Sequence, residues 1–280
     1  MFWESKLVFP DREPLTTQRA LMLPARIVTT SWDDGDPSDL KVAELLRARG
    51  LAGTFYVPLI GYDGRRTLDT EHLRMLASEG FEIGAHGTSH NALPHLGPKE
   101  IAREVRICKS RLEDILGGQV QMFCYPKGRH SAEVVRHLKE TGYMGARTNR
   151  TLGHKLDFTP FEMPTTLQVY HLRKSGYLRN AVRAAKFGAV FEYLARVSRA
   201  NSWVELGKAF FDLVLRQGGV WHLYGHSWQI EEMGLWDELR QMLDYVSNRE
   251  GVTYVSNRGV LNFLPDKKAL VSVNHLIPSK

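Results

Sequence analysis

Cysteine is scarce in this sequence, and long apolar runs are missing from it. Cys108 and Cys124 are the two cysteines in 280 residues, so no disulfide framework is indicated and we expect both thiols to be reduced. No stretch of about 18 consecutive apolar residues occurs, so no membrane-spanning helix is predicted. The first residues lack a basic segment leading into an apolar stretch, and we therefore predict no secretory signal. Together these absences favour a cytoplasmic protein.

The charge of the chain is concentrated in one segment. The overall composition, with 43% hydrophobic and 24% charged residues, is that of an ordinary globular protein. Residues 171–216 hold nine Lys and Arg against three Asp and Glu, an excess equal to the whole net charge of +6. Apolar spacing within this segment predicts helices over 177–198 and 202–215. A basic amphipathic helix can contact an anionic membrane surface, although a solvated helix face has the same composition.

Strands and helices alternate from Ile27 onward. Helices are predicted over residues 37–50, 69–79, 98–116 and 131–141, and short apolar strands lie before, between and after them. This alternation argues for a parallel sheet or barrel, and it does not by itself distinguish an open sheet from a closed one. Residues 1–24 are expected to form an extended N-terminal arm.

Acidic residues and histidines follow two of the predicted strands. Asp33 and Asp34 end the first strand of the chain, and His86 and His90 follow a later one. Parallel α/β folds place functional side chains at the carboxyl ends of their strands. One carboxylate and two imidazoles suit zinc or another borderline divalent metal, and the second carboxylate is left free to act as a base.

Each of these motifs also has a purely structural interpretation. Asp-Gly pairs are common in turns, and histidines four residues apart lie on one surface face where the chain is helical. Adjacent residues of a strand point to opposite sides, so Asp33 and Asp34 share a role only if the strand has ended. The occurrence of both motifs in one chain favours the metal site.

These motifs resemble those of the polysaccharide deacetylase family, also called the NodB-homology or carbohydrate esterase family 4 domain. The family's Thr-Phe-Asp-Asp-Gly motif is matched by residues 31–35, and its His-x-x-x-His motif by His86 and His90. Its Arg-Pro-Pro-Tyr-Gly motif is matched loosely by residues 124–128, and its closing histidine by residues 220–226. The resemblance runs from about residue 27 to about residue 264.

The resemblance implies a particular fold and domain organisation. It favours an α/β architecture, a distorted (β/α) barrel of about seven parallel strands. The basic residues 171–216 would be a helical insertion before the last strand. We expect a catalytic domain over residues 25–265, followed by a C-terminal tail over residues 266–280.

The resemblance also implies roles for individual residues. Asp33 is expected to be the general base, and the expected metal ligands are Asp34, His86 and His90. The metal is expected to be zinc, with cobalt, nickel or iron as alternatives. Water on the metal would attack an amide carbonyl, and a histidine would protonate the departing nitrogen. His226, at the strand end, is the first candidate for that acid, and His222 is the second.

Two residues depart from the family pattern. The arginine that orients the base is Cys124 here, and the tyrosine of the same motif is Lys127, whose backbone N–H can still donate to an oxyanion. Arg147, on the next predicted strand, is our candidate to supply the missing charge. Tyr125 and Trp228 are supporting candidates, and Trp228 offers a ring that can stack on a sugar.

We therefore expect a metal-dependent hydrolase that removes an N-acyl group, most simply acetyl, from an amino sugar. A cytoplasmic location points to a polysaccharide or surface-glycan precursor, nucleotide- or lipid-linked. One alternative is an amidohydrolase acting on a formamide or cyclic imide. Another is a non-catalytic carbohydrate-binding relic, which Cys124 favours and the retained Asp33 opposes. No nucleic-acid reader motif occurs, so no nucleic acid partner is expected, and no particular oligomeric state is predicted.

Overall fold

The computed structural model describes residues 24–171 and 199–265. Its strands are β1 (Arg26–Asp33), β2 (Thr54–Val57), β3 (Glu82–Ala85), β4 (Met122–Cys124), β5 (Gly145–Arg147), β6 (Leu167–Gln168), β7 (Gly219–Gly225) and β8 (Thr253–Tyr254). Seven of them form one parallel sheet in the order β5-β4-β3-β2-β1-β7-β6, and the short β8 pairs with the beginning of β1.

The sheet curls into a distorted barrel that residues 163–168 close. At one end of this segment Met163 bridges to Arg147 of β5, and at the other end Leu167 pairs with Leu223 of β7. This segment therefore lies between the two edges of the sheet. The distorted (β/α) barrel of about seven parallel strands is confirmed.

Most helices pack on the outside of the barrel. They are α1 (Asp39–Arg47), α2 (Thr70–Ser78), α3 (Pro98–Leu116), α4 (Ala132–Glu140), α5 (Trp203–Gln217), α6 (Ser227–Met233), α7 (Trp236–Val246) and α8 (Asn257–Val260). Local signals set their ends: Asp69 and Ser131 cap α2 and α4 with side-chain oxygens, and Gly117 ends α3 in the left-handed conformation. In the part of the chain that the structure describes, no helix is long and apolar enough to cross a bilayer.

The barrel interior changes from apolar to charged along the strands, because alternate residues of each strand point inward. One apolar cluster includes Ile27, Met122, Val220 and Val260. A buried hydrogen-bonded layer follows, in which Asn257 donates to Thr29 Oγ1 and accepts from the Tyr56 hydroxyl, both at 2.9 Å. At the carboxyl end of the strands Asp33 and Arg147 form an ion pair. The charged end of the interior is therefore where the strand-end loops meet.

The second predicted helix of the basic segment is α5, and it belongs to the outer helical layer. Its buried face includes Trp203, Phe210, Phe211 and Val214, and it packs against α7 and β7. This apolar face is used inside the protein and is not free to insert into a membrane. The first predicted helix, over 177–198, lies outside the described residues, so membrane contact through 171–216 stays a prediction.

Candidate active site

The carboxyl ends of the strands open into a cavity of about 250 Å³. It is lined by Asp33, Asp34, Tyr62, His86, His90, Tyr125, Lys127, Gly128, Arg147, Asn149, Gln168, Tyr224, His226, Trp228 and Gln229. Every site residue named from the sequence is among them except His222. The parallel sheet explains this convergence, because the residues that follow each strand meet at the same end of the barrel.

Asp33 and Asp34 both line the cavity because the strand ends between them. Asp33 is the last residue of β1, whereas Asp34 has a φ of 79° in the left-handed region. This turn redirects the Asp34 side chain, which an extended backbone would point to the opposite face. Both side chains are buried, so the cavity contains two carboxylates with little access to water.

His86 and His90 converge through a loop and not through helical spacing. Residues 86–90 are not helical, and Gly87 and His90 have φ values of 81° and 55°. The Nε2 atoms of His86 and His90 lie 3.6 Å and 3.3 Å from Asp34 Oδ1. The three side chains form a buried group with the spacing of metal ligands.

The donor atoms of this group fit a divalent metal. His86 Nδ1 lies 2.9 Å from the Cys124 carbonyl oxygen, so Nδ1 carries the proton and the Nε2 lone pair faces Asp34 Oδ1. Among the described residues, Asp34 Oδ1 is buried without a hydrogen-bond partner. Two ligand atoms at about 2.1 Å from a tetrahedral zinc are about 3.4 Å apart, close to the observed separations. A cation bound between the two Nε2 atoms and Asp34 Oδ1 would coordinate their lone pairs, which otherwise repel one another.

Arg147 places a buried positive charge beside Asp33. Its guanidinium donates a hydrogen bond to Asp33 Oδ1, and the rings of Tyr56 and Tyr224 lie 5.3 Å and 4.8 Å from the guanidinium carbon. Both ring faces stabilise the cation. Cys124, which stands where the family has arginine, lies 3.7 Å from Asp33 Oδ2. The charge beside Asp33 therefore comes from β5 instead of β4.

Two opposing effects set the pKa of Asp33. Burial raises it, but the nearby Arg147 guanidinium, together with His86 and His226, outweighs burial, so the pKa lies below its usual range. Asp33 is therefore a carboxylate at neutral pH. Burial raises the pKa of the Cys124 thiol, which keeps that side chain protonated and unreactive.

His226 lines the cavity beside both carboxylates. Its Nε2 lies 3.9 Å from Oδ2 of Asp33 and 3.9 Å from Oδ2 of Asp34. Burial lowers the pKa of His226, although both carboxylates act in the opposite direction. A lowered pKa makes the protonated imidazole a stronger acid.

His222 lies deeper in the barrel, and both of its ring nitrogens have partners inside the protein. Nδ1 donates to the Pro164 carbonyl oxygen at 3.0 Å, and Nε2 accepts from the Ser31 hydroxyl at 2.8 Å. Burial, reinforced by the positive charge of Arg147, lowers the pKa of His222 to about 3. This histidine is neutral in the folded protein and offers no free nitrogen to a substrate.

Replacing His222 by Asn is expected to flatten the pH dependence of folding stability below about pH 6.5. In the unfolded chain a histidine binds a proton near pH 6.5, whereas folded His222 does so only near pH 3. Between these values the unfolded state binds the extra proton, so His222 alone lowers the free energy of unfolding by about 1.4 kcal/mol per pH unit on acidification. His222→Asn removes that contribution while its amide still donates to Pro164.

Urea unfolding at pH 7, 5.5 and 4.5 measures this difference. His95→Asn, in an exposed loop, is the matched control and should keep the wild-type slope. Equal slopes for wild type and His222→Asn would contradict the assignment of His222 as a buried neutral side chain.

Trp228 contacts the candidate metal group directly. Its indole N–H donates to Asp34 Oδ2 at 2.9 Å, the Arg65 guanidinium covers its ring at 4.0 Å, and the Tyr62 ring stacks at 6.2 Å. This hydrogen bond orients Asp34, a role that the sequence did not indicate. Stacking of Trp228 on a sugar stays a prediction.

Tyr125 and Lys127 occupy the loop after β4 and differ in exposure. The buried Tyr125 donates its hydroxyl to the Phe161 carbonyl oxygen at 2.9 Å. Lys127 is exposed at the cavity and has a φ of 57°. Within residues 24–171 and 199–265, neither its ammonium group nor its backbone N–H has a hydrogen-bond or ion-pair partner. Both groups are therefore available to a ligand.

Sequence reasoning missed several polar cavity residues, which are Tyr62, Asn149, Gln168, Tyr224 and Gln229. Gln168 accepts a hydrogen bond from the Tyr224 hydroxyl at 2.9 Å and donates to Gln229 at 3.4 Å. These residues belong to no motif, and nothing in their local sequence marks them. The barrel topology alone brings them to the cavity.

The fold and the cavity define a parallel (β/α)-barrel protein with an acid-and-histidine cluster at the carboxyl ends of its strands. Residues 22–146 match the family described as polysaccharide deacetylase. This match covers 125 of the 280 residues, less than half of the chain, and it agrees with the resemblance to the polysaccharide deacetylase (NodB-homology, carbohydrate esterase family 4) family.

Among curated proteins, the chain is similar to YxkH of Bacillus subtilis (strain 168), a relative named for the polysaccharide deacetylase family. The two are 26% identical over 125 residues, which are 44% of this chain and 45% of the relative. The match therefore spans less than half of that relative's length.

Solved structures share the fold at low sequence identity. A polysaccharide deacetylase family protein from Mycobacterium smegmatis is 16% identical with a TM-score of 0.62, covering 99% of this chain and 96% of its own. The family 4 carbohydrate esterase from Streptomyces lividans, solved with acetate, is 15% identical with a TM-score of 0.50 and covers 82% and 91%. The family 4 pseudoenzyme BA3943 from Bacillus anthracis is 12% identical with a TM-score of 0.50 and covers 85% and 66%. The fold thus occurs in an esterase and in a pseudoenzyme, so activity has to be argued from the site.

Proposed function

We propose that this protein is a metal-dependent N-deacylase, most simply a deacetylase, that acts on an amino sugar. One observation supports this above the others: Asp34, His86 and His90 form a buried group with metal-ligand spacing, and Asp33 and His226 line the same cavity. A metal site without further functional groups beside it could have a purely structural role. A carboxylate and an imidazole beside it supply the base and the acid that amide hydrolysis needs.

In the proposed reaction Asp33 accepts a proton from the attacking water. Its lowered pKa keeps it ionised, and Arg147 fixes one oxygen, which leaves Oδ2 directed toward His226. A divalent metal held by Asp34, His86 and His90 would lower the pKa of the attacking water and polarise the amide carbonyl. The backbone N–H of Lys127 is a donor for the oxyanion that develops on that carbonyl.

His226 completes the reaction by passing to the departing nitrogen the proton that Asp33 took from the water. Its Nε2 and Asp33 Oδ2 lie 3.9 Å apart, so the acid and the base face the same small volume. His222 has no free ring nitrogen, which makes His226 the better candidate for the acid.

The substrate class is proposed from the polar groups around the cavity. The amides of Asn149, Gln168 and Gln229 suit the hydroxyl groups of a sugar, and the exposed ammonium of Lys127 suits a negative charge nearby. These features favour an anionic N-acyl amino sugar such as a nucleotide- or lipid-linked precursor. The family's polysaccharide substrates and a location in the cytoplasm are compatible with this proposal.

The non-catalytic alternative has less support in this chain. Cys124 replaces the family arginine, as a decaying site would allow, but Arg147 places a guanidinium on Asp33 from another strand. A protein that only binds carbohydrate has no need of an ion-paired base next to a metal site. We therefore place the enzyme first.

Metal content tests the proposal most directly. Protein purified without added metal is expected to contain about one zinc, cobalt, nickel or iron per chain, because His86, His90 and Asp34 complete three positions of a catalytic site. The double variant His86→Ala/His90→Ala should contain none, and His95→Ala should match wild type. Elemental analysis measures the content, and each protein is then assayed on N-acetylated amino sugars with and without a phosphate group.

Wild type is expected to deacetylate both sugars, the phosphorylated one faster. The double variant His86→Ala/His90→Ala is expected to be inactive on both. Absence of metal from wild type, even after incubation with divalent ions, would refute the mechanism. Equal rates on both sugars would contradict the proposal that the substrate is anionic, but not the proposal that the protein is a deacylase.

A further inference from the structure

Glu104 of α3 is bonded to the loop that carries His86 and His90. Its Oε2 accepts hydrogen bonds from the backbone N–H groups of Thr88 and Ser89, at 2.8 Å and 3.0 Å. Its Oε1 accepts from the Ser89 hydroxyl at 2.6 Å. All three bonds fall on the two residues between Gly87 and His90, so the carboxylate fixes the turn between the histidines.

These hydrogen bonds are of the strong kind. Each has an ionised acceptor, and such bonds are roughly twice as strong as neutral ones. The Thr88 hydroxyl adds a fourth bond, donating to the Glu104 backbone carbonyl at 3.0 Å. Within the described residues, Glu104 forms no salt bridge, so its charge is directed to the loop and not to a neighbouring cation.

The helix gives this contact a rigid base. Ile101, Val105 and Cys108 of α3 are fully buried against the barrel, and Glu104 precedes Val105. The loop itself has an unfavourable backbone, since Gly87 and His90 both have positive φ. For a residue other than glycine this conformation costs about 1 kcal/mol or more, and it persists where the surroundings hold it. The four hydrogen bonds that Glu104 accepts from Thr88 and Ser89 supply that support.

We infer that Glu104 is a positioning residue for the metal site, holding His86 and His90 in the geometry that binds the ion. This inference rests on the proposed function, because it assigns Glu104 a role toward the metal. Outer partners of metal ligands typically contribute about 10–100-fold to affinity. No sequence motif marks Glu104, which lies 14 residues after His90 in an ordinary amphipathic helix.

Glu104→Ala should weaken zinc binding about 10–100-fold, and Glu104→Gln, which keeps an acceptor without the charge, should weaken it less. Asp114→Ala removes one negative charge from an exposed position of the same helix and should leave affinity unchanged. Titration of metal-free protein with zinc against a chromophoric chelator gives the dissociation constants. Amide hydrogen exchange of Thr88 and Ser89 in the metal-free proteins is expected to be faster in both Glu104 variants than in the control.

Two outcomes would overturn this inference. One is wild-type zinc affinity in Glu104→Ala, and the other is unchanged exchange at Thr88 and Ser89. If Glu104→Ala does not fold, the same comparison is made with Glu104→Gln, which preserves shape and volume. Failure of the proposed function is distinct, because wild type itself would then bind no zinc while the exchange difference persists.

Discussion

Arg147→Met is expected to lower kcat by about 10²–10⁴-fold, the contribution of a positioned general base. In wild type the guanidinium outweighs burial and keeps Asp33 ionised. Without the guanidinium, the largest charge that opposes burial is lost, and the pKa of Asp33 rises. The base is then protonated over a wider pH range, so the remaining activity should increase with pH where wild-type activity is already constant. A variant that is only misfolded would not show this shift.

The same substitution is expected to lower the free energy of unfolding by about 3–5 kcal/mol, because it leaves a buried carboxylate without its partner. Asp33 is 4% exposed and Arg147 is 1% exposed, so water cannot replace the lost contact. Adding Asp33→Asn to Arg147→Met removes both charges and should recover most of the stability without recovering activity. Urea unfolding and steady-state kinetics on the four proteins of this cycle separate the two effects.

Arg150→Met is the matched control for this cycle. Arg150 lies three residues away, with a side chain that is 56% exposed in its contact with Glu162, and exposed ion pairs contribute about 0–1 kcal/mol. Its removal should change neither kcat nor its pH profile. Wild-type kcat in Arg147→Met would show that Asp33 does not depend on this guanidinium.

His226→Gln is expected to lower kcat for an N-acyl amino sugar by about 10²–10⁴-fold while changing KM little, because it removes the proton donor to the departing amine. An aryl ester has a leaving group that departs without protonation, so its hydrolysis should fall far less. The fold should tolerate this change: His226 precedes α6, but its side chain makes no capping hydrogen bond. Parallel assays on the amide and the ester therefore distinguish an acid from a structural residue.

His95→Gln is the control for His226→Gln, since His95 is exposed to solvent and contacts Arg129 at 3.0 Å. It should retain wild-type rates on both substrates. An equal loss of amide and ester hydrolysis in His226→Gln would contradict the role of His226 as the acid and indicate a disturbed cavity.

Local sequence determined much of the fold. Apolar, β-branched runs that stop at charged residues predicted β1 with its end at Asp33, and the predicted bounds of α3 match the structure. The helices predicted over 69–79 and 131–141 begin at Asp69 and Ser131, and in the structure these two residues cap them. These predictions succeed because a helix end or a strand end depends on residues within a few positions of one another, which a single sequence displays.

The approximate composition of the candidate site was also accessible from sequence. In a parallel sheet all carboxyl strand ends face one way, so residues that follow different strands are expected to meet. His86 and His90 were expected beside the two aspartates because both pairs follow a strand, and in the structure a loop with two positive φ angles, not helical spacing, brings the two histidines together. That these residues bind a metal and catalyse a reaction stays a prediction.

Only the tertiary structure decided which residues pair across the barrel. Arg147 was a candidate from the sequence for the charge beside Asp33, but the two residues are 114 positions apart, and only the sheet register sets one against the other. His222 and His226 have similar sequence contexts, but the barrel encloses His222 between Ser31 and Pro164 and leaves His226 in the cavity. Glu104 reaches the histidine loop from a helix face that looks ordinary in sequence. The sequence by itself determined the helices and strands and the residue types at their ends. The burial of each site residue, its charge partner and the accessibility of its ring nitrogens follow from sheet register and loop conformation, because these depend on the whole chain.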